Sequence, residues 1–483
     1  MFIVYCLLFF YSANTKMDNI QQQLDSNFLA PKRLEFLKQC QSRNKYSKLR
    51  QTENNADRKD FPYLNRLPEE LAERPKILLQ PLGRSGSLFL HSLIDNHPQI
   101  ATLPNVIFMD FFYSKNWRIL RPDYKQKNWQ QILIEKFCDT HKILFENTAD
   151  CQIPFMNHPG GEDYLINTLG LIPQENSNNN FGYFGVDKQK FIDYLQQYLF
   201  DKKYISQAAF FDLLHAAYQY SLNRNINTKF DFYHIHLPKK SALTNFIYLY
   251  KNVKLLGIIR NPVQAMESFI KRDLYTNTGY DKLTIYKNAL YNILVSINCS
   301  FMLFNNIIPS KVIRLEDIKK NTDNTLHKLC EWFGVDYSET LKQETFGNRK
   351  FNTPSQQNIK SFNTENIDRK IGSLYADKHQ NLSERDYRIL NILSYPLSVK
   401  YNYQKTDSDF IKSEIKYLKK ELSKNENYLF DYEINLQQQL KKEGISEDEI
   451  YNIQKNFRCL LLPFLDYLEK YQTYPGLAEL LEV

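Results

Sequence analysis

No basic run interleaved with aromatic residues occurs in the 483 residues, so nothing in the chain reads as a nucleic-acid surface. The 62 Lys and Arg against 54 Asp and Glu leave a formal charge of +8, mild for this length and suited to a small anionic ligand. Cysteine is sparse. The seven, at 6, 40, 138, 151, 299, 330 and 459, are odd in number and scattered, which suits reduced thiols and gives neither a disulfide framework nor a zinc ribbon. A long apolar run is also missing: Met1 to Tyr11 is apolar but short, without a basic lead, whereas a bilayer span takes about 20 apolar residues. No membrane span is therefore expected, and the expected location is cytoplasmic. The same stretch can also be read as an atypical signal peptide, or as residues upstream of a start at Met17. No internal repeat is evident.

The chain is long enough to bury a large core and to carry a main domain with additions. Residues 1–70, polar and rich in Gln, Asn and Lys, read as an N-terminal extension, partly helical or disordered. Residues 71–404 hold the strand and helix patterns of an α/β domain. Residues 405–483 read as helical without strands. Phe410, Ile411, Ile415, Leu418 and Leu422 form one stripe, and Ser446 with Glu449 resembles a capping box before a second stripe in which Pro463 is expected to bend the helix. These helices can pack on the main domain or form a homodimer contact. Within 105–230, helical stripes such as Phe191, Tyr194, Leu195 and Phe210, Leu213, Leu214 read as core, and Glu175 to Asn180 as a loop tip.

The most informative segment is Gly83-Arg84-Ser85-Gly86-Ser87, set between the apolar run from Lys76 to Leu79 and the apolar stretch from Leu88 to Ile94. It predicts a strand, a tight turn and a helix, with glycines that let the backbone close on a ligand and first-turn N–H groups aimed at it. Arg84 adds a fork of donors, and the Ser85 and Ser87 hydroxyls add two more, a set suited to a phosphate or sulfate ester. No Lys-Ser/Thr pair follows, as it does in loops that hold a magnesium-bound nucleoside triphosphate. A second segment repeats the theme. Lys254 to Ile259 predicts a buried strand that delivers Arg260 at its carboxyl end, and Pro262 starts a helix on which Ser268 lies about two turns along.

Together these segments resemble the two cofactor motifs of sulfotransferases that use 3′-phosphoadenosine 5′-phosphosulfate. The stretch Leu93 to Pro98 is similar to that family's continuation of the first helix. Val312 to Ile318, followed by Leu326, Cys330, Trp332, Phe333 and Gly334, resembles its last core strand and the next helix. The likeness spans roughly residues 72–400, a single-domain scale. It implies a three-layer α/β sandwich with a short parallel sheet, the P-loop-like sulfotransferase fold, and no metal. It also implies cofactor contacts from Gly83, Arg84, Ser85, Gly86, Ser87, Arg260 and Ser268, with a late basic loop, either Arg349-Lys350 or Arg369-Lys370, closing on the 3′-phosphate. Leu88 stands where the family usually has a second hydroxyl residue. In such folds the 105–230 stretch shapes the acceptor pocket.

Moving a sulfuryl group requires neutralised charge on the leaving phosphate, a task for Arg84 and Ser87, and a base for the acceptor hydroxyl or amine. His236 is the candidate base. It lies in His234-Ile235-His236-Leu237-Pro238, similar to the family's Lys-x-His-Leu-Pro segment, and alternation sets His234 and His236 on one strand face, emerging together near the sheet's carboxyl edge. A zinc reading of His-x-His lacks a third ligand nearby. Asp110 is a distant substitute for the carboxylate that other members use. The acceptor is expected to be a small molecule or glycan. Two alternatives stand beside this reading: a P-loop kinase-like phosphotransferase using Glu316-Asp317 on a magnesium-binding strand, and a non-catalytic nucleotide-binding or assembly protein.

Overall fold

The structure, a computed structural model, describes residues 74–147, 152–155, 182–235, 240–250, 252–275, 281–300, 308–347, 349–351, 382–424, 427–472 and 477–482. The 1–70 extension, the loop tip at 175–180, His236 and the Arg369-Lys370 pair lie outside the described residues.

Six parallel strands form one sheet: β1 (Lys76–Pro81), β2 (Ile100–Thr102), β3 (Phe230–His234), β4 (Val253–Ile259), β5 (Ser310–Arg314) and, from the last residues of the chain, Glu479–Leu480, in the order β2-β3-β1-β4-β5 and then that last strand. β1 and β3 are buried on both faces, and β4 at all but one position. That burial is why β1 and β4 read as apolar runs.

Helices cover both faces. On one side α1 (Ser87–Ile94) lies with α9 (Leu315–Lys320) and α10 (Thr322–Phe333), where Ile77, Leu79, Leu256, Ile258 and Ile313 of the strands meet Leu90, Leu93, Ile318 and Leu329. The other face is divided. Over β1 and β3 lie α2 (Ser114–Leu120), α3 (Trp129–Thr140), α4 (Lys188–Leu199), α5 (Gln207–Ser221) and α6 (Lys240–Leu249), a core rich in Phe. Over β4 and β5 lie α7 (Pro262–Tyr275) and α8 (Lys282–Ser300), joined in one apolar cluster with α11 (Glu384–Lys400), α12 (Ser408–Lys424), α13 (Tyr432–Lys442) and α14 (Glu447–Tyr471). The 405–482 region thus packs on its own chain.

The stripes in α4 and α5 fall on core, as their spacing requires, and each helix starts at a capping side chain: Asp187 accepts from the Lys190 amide at 3.0 Å and Ser206 from the Ala209 amide at 3.1 Å. Ser446 likewise caps α14 through the Glu449 amide at 3.2 Å, and that helix runs on through Pro463 as a single element.

Two expectations are corrected here. The 405–483 region is not strand-free: after α14 the chain returns to the sheet as β8 (Glu479–Leu480), with the Leu481 amide donating to Val312 O at 2.8 Å, while β6 (Thr345–Phe346) and β7 (Arg349–Lys350), within 71–404, form a separate two-stranded antiparallel pair. A two-residue strand has too few positions for any periodicity to register. His234, for its part, does not emerge at the sheet edge. It is 2% exposed beneath α1, its Nδ1 3.2 Å from Nδ1 of His91, because β3 is covered on both faces. His91 itself is held neutral, its pKa lowered to about 3 by burial.

Candidate functional site

From β1 the chain goes to β2 on one side of the sheet, and after β3 it crosses to β4 on the other. The helix after β1 covers one face and the helix after β4 the opposite face. Strands that part in this way open a crevice at their carboxyl ends, the usual ligand position in open α/β sheets. The β1–β4 ladder ends with Pro81 beside Ile258, two residues short of Gly83 on one strand and of Arg260 on the other.

The 83–87 turn is tightly fastened. Leu82 donates its amide to Ile258 O at 2.9 Å, and the Ser85 amide closes the turn on Leu82 O at 3.2 Å. The Ser85 hydroxyl points inward, fully buried, donating to the carbonyls of Leu82 and, at 2.9 Å, Ile258. It braces the loop, and its donor capacity is spent on the backbone. Gly86, at φ 81°, is the N-cap of α1, and no side chain caps that helix, so its first N–H groups are presented to the crevice. A Cβ at 86 would fall 2.7 Å from the Leu315 side chain, and one at 83 would strike the Phe269 ring. The turn is thus pressed from one side by α7 and from the other by α9. Ser87 opens α1, 5% exposed.

Across the crevice, Arg260 follows the last residue of β4 and is half-buried. Asn261 fixes the start of α7: its Oδ1 accepts from the amides of Val263 at 3.1 Å and Gln264 at 3.2 Å, with Pro262 in the first helical position. Among the described residues Arg260 forms no ion pair, and its Nε reaches Gln264 Oε1 at 3.4 Å. The two segments meet directly, for Arg84 Nε donates to Ser268 Oγ at 3.2 Å. Residues 184 positions apart in sequence are thereby joined at one edge of the sheet.

Arg349 and Lys350 form β7, and Arg349 lies against Gly185: a Cβ there would be 3.4 Å from Arg349 Nε. Among the described residues its Nη1 is buried without a hydrogen-bond partner, and burial lowers the pKa of the guanidinium. The β6–β7 hairpin is tied to α1 by Thr345, whose Oγ1 lies 3.4 Å from Asp95, and by Arg224, which reaches both Asp95 and Gly347 O.

Glu316 and Asp317 are both engaged. Asp317 receives Arg314 bidentately, at 2.7 Å on each oxygen, which raises the guanidinium's pKa. Glu316 accepts from the Asn261 amide at 2.9 Å and from the Tyr403 hydroxyl at 2.7 Å. Among the described residues no group of three His, Cys, Asp or Glu is arranged to hold a metal, and no helix is long and apolar enough to cross a membrane. Sequence reasoning missed Phe269, Leu315 and Tyr403 as neighbours of the site. Each meets its partner from an element distant in sequence, Phe269 and Leu315 at the 83–87 turn and Tyr403 at Glu316, and local pattern carries no sign of these contacts.

No family model matches the chain, and no curated protein matches it by sequence. Among solved structures it is similar to a sulfotransferase domain from the curacin biosynthetic pathway, with 14% identity and a TM-score of 0.34 over 66% of this chain and 96% of that one. A sulfotransferase domain from the Synechococcus olefin synthase gives 13% identity and a TM-score of 0.33, over 65% and 92%. A Mycobacterium avium sulfotransferase gives 15% and 0.25, over 60% and 70%.

Proposed function

We propose that this chain is a sulfotransferase that moves a sulfuryl group from 3′-phosphoadenosine 5′-phosphosulfate to a hydroxyl or amine of a small molecule or glycan. The observation that carries the proposal is the meeting of the 83–87 turn with the 260–268 segment through Arg84 and Ser268, beside an uncapped helix and an Arg260 that has no carboxylate partner among the described residues.

The donor set fits a nucleotide with phosphates at both ends: it consists of backbone N–H groups, hydroxyls and guanidinium groups, and the carboxylates of Glu316 and Asp317 are already engaged. Gly83, Gly86, Ser87 and Arg84 would hold the 5′-phosphosulfate, and Arg260 and Ser268 the 3′-phosphate; Arg349 and Lys350, tied to the other end of α1 at Asp95, are given no contact in this reading. The bound nucleotide supplies an activated sulfuryl group whose leaving phosphate needs positive charge. Arg84 and the α1 N-terminus supply that charge, and Ser85 keeps the turn rigid. His236 would take the acceptor's proton. Occupation of Glu316 and Asp317 by Asn261, Tyr403 and Arg314 favours this reading over one in which they bind magnesium.

Titration with adenosine 3′,5′-bisphosphate in the absence of magnesium tests the proposal. We expect binding, and a loss on Arg260→Ala of about 2 to 4 kcal/mol, roughly 30- to 1000-fold in Kd. His236→Ala should leave that Kd unchanged while cutting sulfated product from a labelled donor by about 10² to 10⁴. An Arg260→Ala protein that binds as wild type does, or turnover that requires ATP and magnesium, would sink the reading.

A further inference from the structure

We infer that the packing of α11 to α14 holds the Arg260 turn in place through a Tyr403–Glu316 relay, so that these two residues position the site without touching its ligand. The inference rests on the nucleotide reading above and extends it to a part of the chain to which that reading gave no role.

Arg260 leaves β4 at a bend, and the direction of its side chain depends on how the next peptide is held. That peptide's N–H, on Asn261, is bonded to Glu316 Oε1 at 2.9 Å. A side-chain carboxylate in the first turn of α9 thus supplies the partner that a neighbouring strand supplies elsewhere in β4. The carboxylate in turn needs its own support. Its second oxygen accepts from the Tyr403 hydroxyl at 2.7 Å.

Tyr403 comes from the far side of the chain, three residues after α11 ends at Lys400, and its placement is over-determined. Its amide donates to Ser398 O at 2.7 Å, its predecessor Asn402 turns the chain at φ 60°, and the Arg314 guanidinium, fixed by Asp317, lies 5.9 Å from its ring centroid. Burial raises the pKa of the phenol well above its ordinary value, so it stays a donor. The path therefore runs from the end of α11 through Tyr403, Glu316 and the Asn261 amide to Arg260. It couples the packing of α11 to α14 with the direction of the guanidinium assigned to the 3′-phosphate. Two hydrogen bonds on one carboxylate, from the Tyr403 hydroxyl and the Asn261 amide, make the relay stiff.

The full-length protein, with Tyr403→Phe, Glu316→Ala and Glu316→Gln, provides the test through two readouts. Hydrogen exchange of the peptide spanning 258–264 reports the Asn261 bond without any ligand. Titration with adenosine 3′,5′-bisphosphate and, separately, with adenosine 5′-monophosphate reports whether the 3′-phosphate contact is affected. We expect faster exchange in Tyr403→Phe and Glu316→Ala. We also expect about 3- to 10-fold weaker binding of the bisphosphate, the scale of one lost hydrogen bond, with the monophosphate changed less than twofold. Glu316→Gln, whose amide oxygen still accepts from Asn261, should restore both. Unchanged exchange at 258–264, equal weakening of both nucleotides, or failure of Glu316→Gln to rescue overturns the relay. If wild type binds neither nucleotide, the nucleotide reading fails, and exchange alone decides whether the link from Tyr403 to Asn261 stands.

Discussion

Arg84 occupies a backbone conformation that its side chain resists. At φ 61° it lies in the left-handed region, which costs a residue with a Cβ about 1 to 2 kcal/mol relative to glycine. Strain of this kind is retained where the surroundings over-determine it, commonly at ligand sites. Here Ser85 pins the following residue and Ser268 holds the guanidinium. Two substitutions separate the backbone cost from the side-chain role. Arg84→Ala and Arg84→Gly both abolish the bond to Ser268 and should weaken nucleotide binding alike, but Gly relieves the strain and Ala does not. After allowance for glycine's greater freedom in the unfolded chain, Arg84→Gly should be the more stable by about 1 kcal/mol in urea unfolding. Equal midpoints would mean that the turn relaxes once the guanidinium is gone, and the strain argument would fail.

Among the elements, the last strand contributes most for its size. β8 pairs only at Lys311–Glu479 and Val312–Leu480, yet Leu477, Ala478 and Leu481 are buried around it and cover the edge of β5. Burying two leucines is worth about 3 to 6 kcal/mol as an upper figure. Ending the chain before Leu477 should therefore lower stability by several kcal/mol and expose a β5 edge prone to association. A truncated protein with an unchanged urea midpoint would show that β8 merely rests on the sheet. The contrast with β1, β4 and β5 explains what sequence can carry. β1 and β4 hold apolar runs that end in turn residues, so β1 with its glycine turn, and β4 with Arg260, Asn261 and Pro262, were legible from local chemistry. The stripes in α4 and α5 were legible for the same reason. The short β8, the inward turn of the Ser85 hydroxyl and the burial of His234 under α1 depend on partners distant in sequence. For His234 the alternation could not tell which helix would cover its side of the strand.

At the scale of the whole molecule, the two halves of the divided face are stabilised by buried polar groups that respond oppositely to pH. On the β1–β3 side His141, like His91 on α1 across the sheet, is held neutral, its pKa lowered to about 3 by burial. Such groups contribute stability above the unfolded imidazole value of about 6.5 that is lost as pH falls toward 3. In the C-terminal bundle Glu433 is fully buried between α8, α13 and α14. It accepts from the Leu429 and Phe430 amides at 2.9 and 2.7 Å and from the Tyr286 hydroxyl at 3.0 Å, with Gln454 also against it. Burial raises its pKa from 4.5 to about 7. An acid whose folded pKa is raised contributes stability fully present below about 4.5 and lost as pH climbs through 7, on the order of 3 kcal/mol across that window. Because the imidazoles act in the opposite sense, the clean measurement is a difference. Glu433→Gln keeps an acceptor for the two amides and cannot ionise. The stability of this variant minus that of wild type should therefore rise as pH goes from 5 to 8, with most of the change complete by about pH 7. A difference that stays flat over that range would mean that Glu433 is ionised in the folded protein throughout, and that its neighbours solvate the charge as well as water does.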